Sequence, residues 1–450
     1  MNVIYIVCHD LGRMLGAYGR PYPSPYLDRF AAEGVRFTSA FCQSPACSPS
    51  RGCAYSGQAA HTNGLMGLVN GGWSLPCETT TFIDDFNRAG FRTAICGLDH
   101  AVRNRADLRA GEDLGGGVHA GPVVDRAIAY LEEAKNRDVP FFLHVGTIEV
   151  HASQWQEHHR LRDERGLKPS LRLYPWIDEN TQVPDNHLVD TPAMRREMGR
   201  FQAALAYFDF HMGRLFGALD LLGLRDDTLV VFTTDHGVPG LRAKMTLYEM
   251  GVETALLMRG PGLPAGRVVE DLACNVDLRP TMAEAAGLEI APEIHGQSLW
   301  GVAGDRRPLE RNAIFTERNY HGGMAELRPD GTSDNYDPMR SVRTGRYHLI
   351  RNFDPEARLC WSPDTVPAVR DTYTDWFNHM FAPPTEPRPE YELYDCRKDP
   401  WERNNLADEP SLAAVRQDLE ARLEQWMRET EDPLLRGPIP DRLNGWPDKE

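Results

Sequence analysis

Four short apolar segments organise this sequence, and each is followed within a few residues by histidine or aspartate. The segments span residues 2–8, 92–96, 140–146 and 228–234. Uninterrupted apolar runs of this length predict strands that are buried on both faces of a parallel sheet. In open α/β sheets, ligands bind beyond the carboxyl ends of such strands. The sequence therefore predicts an α/β fold with a functional site at one edge of its sheet.

Two residues that follow these segments are candidates for that site. Asp10 comes directly after the first segment, and a carboxylate at a strand end is a candidate metal ligand. The alternative is a turn aspartate that caps the next segment. His100 lies in the loop after the second segment, where an imidazole that titrates near neutral pH can transfer protons. The alternative is a histidine that is hydrogen-bonded in the core or at the surface.

The pentapeptide Cys47-Ser48-Pro49-Ser50-Arg51 predicts the start of a helix. Ser48 suits the N-cap, and Pro49 suits the first helical position, where a backbone N–H would lack a partner. Cys47 then lies just before the helix, where N–H groups and partial positive charge stabilise a thiolate or an anionic substrate. Arg51 follows one turn later. The alternative is a buried structural cysteine beside a helix cap.

The same pentapeptide resembles the signature of the type I sulfatase family of the alkaline phosphatase superfamily, in which the cysteine is oxidised to formylglycine. Further segments resemble the family's motifs in the family's order, at residues 61–64, 97–100, 147–151, 235–237 and 244–251. Residues 63–67 and the short chain are most similar to heparan N-sulfatase (sulfamidase) and its bacterial relatives. The resemblance implies a metal-dependent sulfatase that hydrolyses a sulfate ester or sulfamate of a sulfated carbohydrate.

This resemblance implies two groups of site residues. The group that would bind one divalent metal ion is Asp10, Cys47, Asp235 and His236, with His9 as a further candidate. The group that would act on the substrate is Cys47, Arg51, His100, His151 and Lys244. Formylglycine derived from Cys47 would be the nucleophile. Arg51 and Lys244 would offset charge on the transferring group. His151 and His100 would serve as general acid and general base, in roles that could be exchanged.

Two positions depart from the family pattern. His9 stands where the family has the first of two aspartates, and Leu98 stands where it has the lysine of a Gly-Lys-x-His motif. A carboxylate-rich family site implies Ca²⁺, whereas two histidines favour Mn²⁺, and Mg²⁺ is a further candidate. The missing lysine leaves a phosphonate or phosphate monoester hydrolase on the same scaffold as an alternative. A non-catalytic carbohydrate-binding relative is the second alternative.

The resemblance also implies the organisation of the chain. Residues 1–328 would form an alkaline-phosphatase-like catalytic domain, with a large, mixed, mostly parallel sheet sandwiched by helices. Residues 329–450 would form a smaller α+β domain with an antiparallel sheet, a helix and a tail. Residues 152–192 lack periodicity and are expected to be a surface insertion that lines the mouth of the pocket.

Composition restricts the partners. A formal net charge of -16 argues against nucleic-acid binding, which needs clustered lysine and arginine. No apolar run approaches the length of a membrane span. The expected partners are a sulfated small molecule or saccharide and the maturation enzyme that generates formylglycine. Because the first strand starts almost at Met1, a signal peptide has no room, and a cytoplasmic location is expected if Met1 is native. The nine scattered cysteines favour reduced thiols.

Overall fold

The largest feature of the protein is an eight-stranded sheet, seen in a computed structural model that describes residues 1–115, 117–151, 190–240, 242–320, 327–357 and 387–442. In chain order the strands of the molecule are β1 (Asn2–Cys8), β2 (Val35–Phe37), β3 (Ala40–Phe41), β4 (Arg92–Gly97), β5 (Glu112–Asp113), β6 (Phe141–Gly146), β7 (Thr228–Thr234), β8 (Leu256–Arg259), β9 (Arg267–Val269), β10 (Ala273–Cys274), β11 (Ala313–Tyr320), β12 (Tyr336–Thr344), β13 (Tyr347–Asn352) and β14 (Tyr391–Asp395). The α-helices are α1 (Pro25–Ala32), α2 (Cys47–Ser56), α3 (Ala60–Asn63), α4 (Phe82–Arg88), α5 (Ala120–Ala134), α6 (Pro192–Leu221), α7 (Glu249–Val252), α8 (Leu278–Ala285), α9 (Trp300–Ala303) and α10 (Ala413–Glu429).

The main sheet has the order β5-β4-β6-β1-β7-β8-β2-β9. Its central strands β4, β6, β1 and β7 are parallel neighbours, whereas β8 runs antiparallel to β7 and β2. All four apolar segments form strands, and they lie side by side. The structure thus confirms the predicted large, mixed and mostly parallel sheet.

Both faces of this sheet are buried, as the first strand illustrates. Val3, Tyr5 and Val7 belong to one hydrophobic core, whereas Ile4 and Ile6 belong to the other. Residues of α2, α4 and α8 pack into the first core, and residues of α1, α5 and α6 pack into the second. Because helices cover both faces, polar chemistry is confined to the ends of the strands.

Helix α6 is the longest helix in the described part of the chain. Pro192 is near its start, and the side chain of Thr191 caps it by accepting a hydrogen bond from the Met194 N–H at 3.1 Å. Its apolar face is buried and consists of Phe201, Leu205, Phe208, Met212, Leu215 and Leu219. Among the described helices, none combines the length and the apolar character that crossing a membrane requires.

The second sheet is an antiparallel meander of β11, β12, β13 and β14, against which α10 packs through Leu419 and Leu423. The predicted small antiparallel sheet with a helix is thus confirmed. The sheet begins at Ala313, earlier in the chain than residue 329, where the sequence predicts the start of the domain that contains this sheet. Its first strand contains the buried polar run 316–319, so it lacks the apolar pattern that marks strands in a sequence. The division into domains at residues 328 and 329 stays a prediction.

The predicted surface insertion at residues 152–192 lies outside the described residues as far as position 189. Its last residue, Pro192, belongs to α6.

Candidate active site

Four neighbouring strands deliver their carboxyl ends to one edge of the main sheet. His100 follows β4, His151 follows β6, Asp10 follows β1 and Asp235 follows β7. Asp10 and His100 adopt left-handed backbone conformations, with φ of 54° and 55°. Such conformations are uncommon outside glycine and turn the chain sharply at the strand end. The sheet therefore gathers residues that are far apart in the sequence into one site.

A candidate metal-binding cluster lies at the centre of this edge. One donor atom from each of five buried residues lies within 4.8 Å of each of the others, and these residues are His9, Asp10, Cys47, Asp235 and His236. His236 Nε2 is 3.3 Å from Asp10 Oδ1 and 3.6 Å from Asp235 Oδ1. His9 Nδ1 is 2.5 Å from Asp10 Oδ1 and 3.5 Å from Asp235 Oδ2. The structure brings together every residue of the predicted ligand group, His9 included.

The charges of these groups suit a cation. Burial by itself would raise the pKa of both aspartates. The combined charges of Lys244, His151 and His236 outweigh this effect for Asp10, and those of His236, His9 and Arg51 together outweigh it for Asp235, so both pKa values lie below the usual range. Burial lowers the pKa of His9 well below its usual value. Two charged carboxylates and imidazole nitrogens are donors that fit one divalent metal ion.

Cys47 occupies a different position in its helix from the one predicted. Helix α2 begins at Cys47 itself, with the extended residue Ala46 as its N-cap, so Pro49 is the third helical residue. The Ser48 hydroxyl does not cap the helix, because it accepts a hydrogen bond from the Val69 N–H at 3.0 Å. The prediction that Ser48 caps a helix beginning after Cys47 is therefore wrong. Cys47 still lies at the amino end of the helix, 3% exposed, with its Sγ 3.5 Å from His236 Nε2.

Arg51 reaches the cluster from the second turn of α2. Its Nε and its terminal nitrogen Nη2 are each 3.2 Å from Asp235 Oδ2, and Nη1 donates to the Leu98 carbonyl at 3.0 Å. Arg51 as a whole is 1% exposed. Arg51 therefore ties the Cys47 helix to the aspartate that follows β7 and to the loop after β4.

Lys244 supplies a second buried cation. Its Nζ donates to Asp10 Oδ2 at 2.9 Å and lies 3.2 Å from His151 Nε2. His151 Nε2 is in turn 3.8 Å from Asp10 Oδ2. Lys244, the predicted positive charge, and His151, a predicted general acid, are thus adjacent to each other and to the cluster.

His100 lies on the other side of His9, with 6.2 Å between the centres of the two rings. Burial, together with the charge of Arg51, lowers the pKa of His100 to about 4. Its Nδ1 atom is buried and makes no hydrogen bond within the described residues. A neutral imidazole of this kind can accept a proton from a group placed beside it.

Comparison with known proteins assigns this constellation to a family. Residues 1–288 match the family model described as Sulfatase. The chain belongs to the sulfatase family. Sulfatases are sulfuric ester hydrolases, so the protein is an enzyme of that class. Residues 237–359 match a second model, described as N-sulphoglucosamine sulphohydrolase, C-terminal.

Individual relatives resemble this sulfatase over most of their length. Human N-sulphoglucosamine sulphohydrolase is 26% identical, and the match covers 97% of this chain and 92% of the human protein. An ulvan-active sulfatase of Formosa agariphila is 25% identical, over 96% of this chain and 81% of its own length. The structure of a 2-O GAG sulfatase superposes with a TM-score of 0.74 at 19% identity, covering 98% of this chain and 95% of that one. At that identity, the last likeness is evidence for the shared fold alone.

Two polar residues of this sulfatase make contacts near the site that the sequence does not predict. Ser50, inside the pentapeptide, donates from its hydroxyl to the backbone carbonyl of Asp235. The Glu149 carboxylate is buried and accepts from the Ala120 N–H at the start of α5 and from His119, each at 2.9 Å. Both partners are remote in sequence, so no local pattern reveals these contacts.

Two other histidines lie apart from the site. His144, inside β6, is 2.6 Å from the Tyr55 hydroxyl through its Nε2 atom, and His61 Nδ1 is 3.0 Å from Glu317 Oε2. Both are buried, His144 in β6 and His61 in α3.

Proposed function

We propose that this sulfatase removes the sulfuryl group from a sulfated saccharide, held as a sulfate ester or a sulfamate, through a formylglycine derived from Cys47. The observation that carries the proposal is the position of residue 47, at the amino end of α2 and 3.5 Å from His236 in a cluster of metal-binding residues. The likeness to human N-sulphoglucosamine sulphohydrolase supports a sulfated amino sugar as the substrate.

A formylglycine at position 47 would, when hydrated, supply one hydroxyl for attack on sulfur, with cleavage of the bond from sulfur to the leaving oxygen or nitrogen. Deprotonation of its second hydroxyl would then break the C–O bond to the sulfuryl group, releasing sulfate and restoring the aldehyde. One divalent ion, held by Asp10, Asp235, His236, His9 and the side chain of residue 47, supplies Lewis-acid polarisation when bound. Imidazole nitrogens are better ligands for Mn²⁺ than for Ca²⁺, which prefers oxygen donors. We therefore infer that Mn²⁺ is the preferred ion, in place of the Ca²⁺ that the family resemblance implies.

Lys244 and Arg51 have different electrostatic roles. Lys244 is hydrogen-bonded to Asp10 and adjacent to His151, so its ammonium can stabilise negative charge on an oxygen of the transferring group. Arg51 uses its guanidinium on Asp235 and on the Leu98 carbonyl, so its first contribution is to hold the carboxylate and the helix in place.

The two histidines take separate roles in proton transfer. Burial and the charge of Arg51 lower the pKa of His100 to about 4, below the near-neutral value expected from the sequence, so its imidazole is neutral at pH 7 and is our candidate to accept the proton of the second hydroxyl. His151 is then the general acid that protonates the leaving oxygen or nitrogen. Its Nε2 is oriented by Lys244 and Asp10 at one side of the cluster.

The experiment that tests this function is mass spectrometry of the peptide containing residue 47, after co-expression with a formylglycine-generating enzyme. The converted protein is assayed on N-sulfoglucosamine, on an O-sulfated sugar and on nitrophenyl sulfate, with Cys47→Ala as the control. We expect conversion and hydrolysis of N-sulfoglucosamine, both absent in Cys47→Ala. An unmodified thiol together with no hydrolysis of any substrate would contradict the proposal and favour the non-catalytic alternative.

A phosphonate or phosphate monoester hydrolase is a second candidate because Leu98 replaces a lysine and removes one positive charge. Parallel kcat/KM measurements on nitrophenyl sulfate and on the matching phosphate and phosphonate decide between the two. Faster turnover of the phosphonate would favour this second candidate.

A further inference from the structure

The small two-stranded sheet places a second segment alongside the one that leads to Cys47. Strands β3 and β10 are parallel, with Ala40 opposite Ala273 and Phe41 opposite Cys274. After β3 the chain continues through Gln43 toward Cys47, and after β10 it continues with Asn275. The two segments leave the sheet side by side, so Asn275 lies beside the entry to the nucleophile helix.

The side-chain amide of Asn275 contacts the chain on both sides of Cys47. Its Oδ1 accepts a hydrogen bond from the Gln43 N–H at 2.9 Å. Its Nδ2 donates to the Ser50 carbonyl at 2.8 Å and to the Ser50 hydroxyl oxygen at 2.9 Å. Asn275, Gln43 and Ser50 are 5%, 4% and 1% exposed, so water does not satisfy these groups in their place.

Ser50 extends the contact to the metal-binding cluster. Its hydroxyl donates to the backbone carbonyl of Asp235, the residue whose carboxylate is held by Arg51. A continuous set of hydrogen bonds therefore runs from Asn275 through Ser50 to the backbone of Asp235. It connects the segment around Cys47 to one of the cluster's two carboxylates.

A side-chain amide of this length supplies both the acceptor and the donor that the three contacts need. An apolar side chain would leave the Gln43 N–H and the Ser50 carbonyl buried without this partner. An aspartate would keep the acceptor for Gln43 but would place a carboxylate oxygen against the Ser50 carbonyl. The amide of Asn275 is thus needed both as an acceptor, through Oδ1, and as a donor, through Nδ2.

We infer that Asn275 is a positioning residue, which acts through Ser50 to fix the side chain of residue 47 against Asp235. The inference rests on the proposed function, because it assigns the nucleophile to position 47. A misplacement of about 1 Å between reacting groups can lower a rate about 10²-fold, so kcat depends on this link. The Michaelis constant depends less on it, because the buried Asn275 side chain bonds to Gln43 and Ser50 and not to the residues of the cluster.

The test uses the full-length, matured protein and nitrophenyl sulfate, so that it does not depend on the identity of the sugar. For each variant, kcat is divided by the fraction of protein in which residue 47 is converted to formylglycine. We expect Asn275→Ala, Asn275→Asp and Ser50→Ala each to lower this kcat by about 10- to 100-fold, with KM within about twofold of wild type. The Asn275→Ala/Ser50→Ala double variant is expected to lose no more than the worse single variant, because both remove the same link.

Two further measurements separate positioning from general stability. Asn352→Ala is the matched control, since Asn352 is 0% exposed in β13 and its amide donates to Pro389 and Glu392, each at 2.8 Å. This control is expected to keep its kcat. The second measurement is the Mn²⁺ concentration at which half of the metal-induced rise in Tm is reached. We expect this concentration to increase at least about threefold in the Asn275 and Ser50 variants and to stay unchanged in Asn352→Ala.

The inference is overturned by a kcat within about twofold of wild type in Asn275→Ala or Ser50→Ala, by additive effects in the double variant, or by an equal loss in Asn352→Ala. A wild-type protein that is matured but inactive on nitrophenyl sulfate would instead contradict the proposed function.

Discussion

Lys244 shows how closely function and stability are joined at the scale of a residue. Its side chain is 2% exposed, and its ammonium bonds to Asp10 and contacts His151. Removing a lysine from water is costly unless its charge is paired. A stability role alone would be served by the pair with Asp10, but the proximity of His151 places the same charge where a substrate anion would bind.

Replacing Lys244 by methionine is expected to lower kcat/KM for sulfate esters by about 10²- to 10³-fold, the usual cost of losing a charged donor at a developing anion. The change also leaves Asp10 without its nearest cation. Steady-state kinetics with metal added in excess is the measurement. A loss that excess metal restores completely would contradict a role in stabilising the transferring group.

Metal preference is a second property that single residues decide. After treatment with a chelator, we expect Mn²⁺ to raise Tm and activity more than Ca²⁺ does, because His9 and His236 contribute nitrogen donors. His9→Asp is expected to shift the preference toward Ca²⁺ by replacing a nitrogen with a carboxylate. Metal analysis of untreated protein and thermal shifts of both forms check this. A larger response of the wild type to Ca²⁺ would contradict the assignment.

At the scale of elements, the sequence predicts the central strands well and other elements less well. Strands β1, β4, β6 and β7 are buried on both faces, so their apolar runs are unmistakable, and the residues after them could be placed at one edge. The start of α2 was misplaced because Ser48 bonds to Val69, a partner 21 positions away. Strand β11 escaped detection because its polar residues pair with distant groups, as Glu317 does with His61.

The contact between α6 and α1 leads to a prediction about pH. Asp209 of α6 is 2% exposed and accepts from the backbone N–H groups of Tyr26 and Leu27 at the start of α1, at 3.1 and 2.8 Å. Burial raises the pKa of Asp209 to about 6, although these N–H groups act in the opposite direction. Between an unfolded value near 4 and about 6, the folded protein binds more protons, so the free energy of unfolding falls as pH rises.

We therefore expect the difference in unfolding free energy between wild type and Asp209→Asn to fall by about 2 kcal/mol from pH 4 to pH 7. Urea unfolding of both proteins across this range is the measurement. The asparagine variant removes the titrating group and keeps one acceptor oxygen for the α1 N–H groups. A difference that is constant with pH would show that Asp209 titrates as it does in the unfolded chain.

At the scale of the whole molecule, a buried ionic cluster connects the antiparallel sheet to the part of the chain that contains the active site. Arg340 of β12 bonds to both carboxylate oxygens of Asp432, at 2.6 and 2.9 Å. Glu317 of β11 lies 3.7 Å from Arg340 and also pairs with His61 of α3. Since α3 begins shortly after α2, the helix that starts at Cys47, the cluster couples the second sheet to the candidate active site.

Asp432→Ala tests this coupling, because it leaves the fully buried Arg340 guanidinium without its closest carboxylate. Breaking a buried pair by removing one partner costs about 3 kcal/mol or more, whereas an exposed pair contributes less than about 1 kcal/mol. We expect a lower urea midpoint, with fluorescence and activity lost together, since the two parts share the cluster. Asp418→Ala is the control, because Asp418 is 57% exposed and pairs with Arg422 at 2.9 Å on α10. If activity survived at urea concentrations where the second sheet has unfolded, the two parts would be independent, and Arg340 would stabilise the second sheet alone.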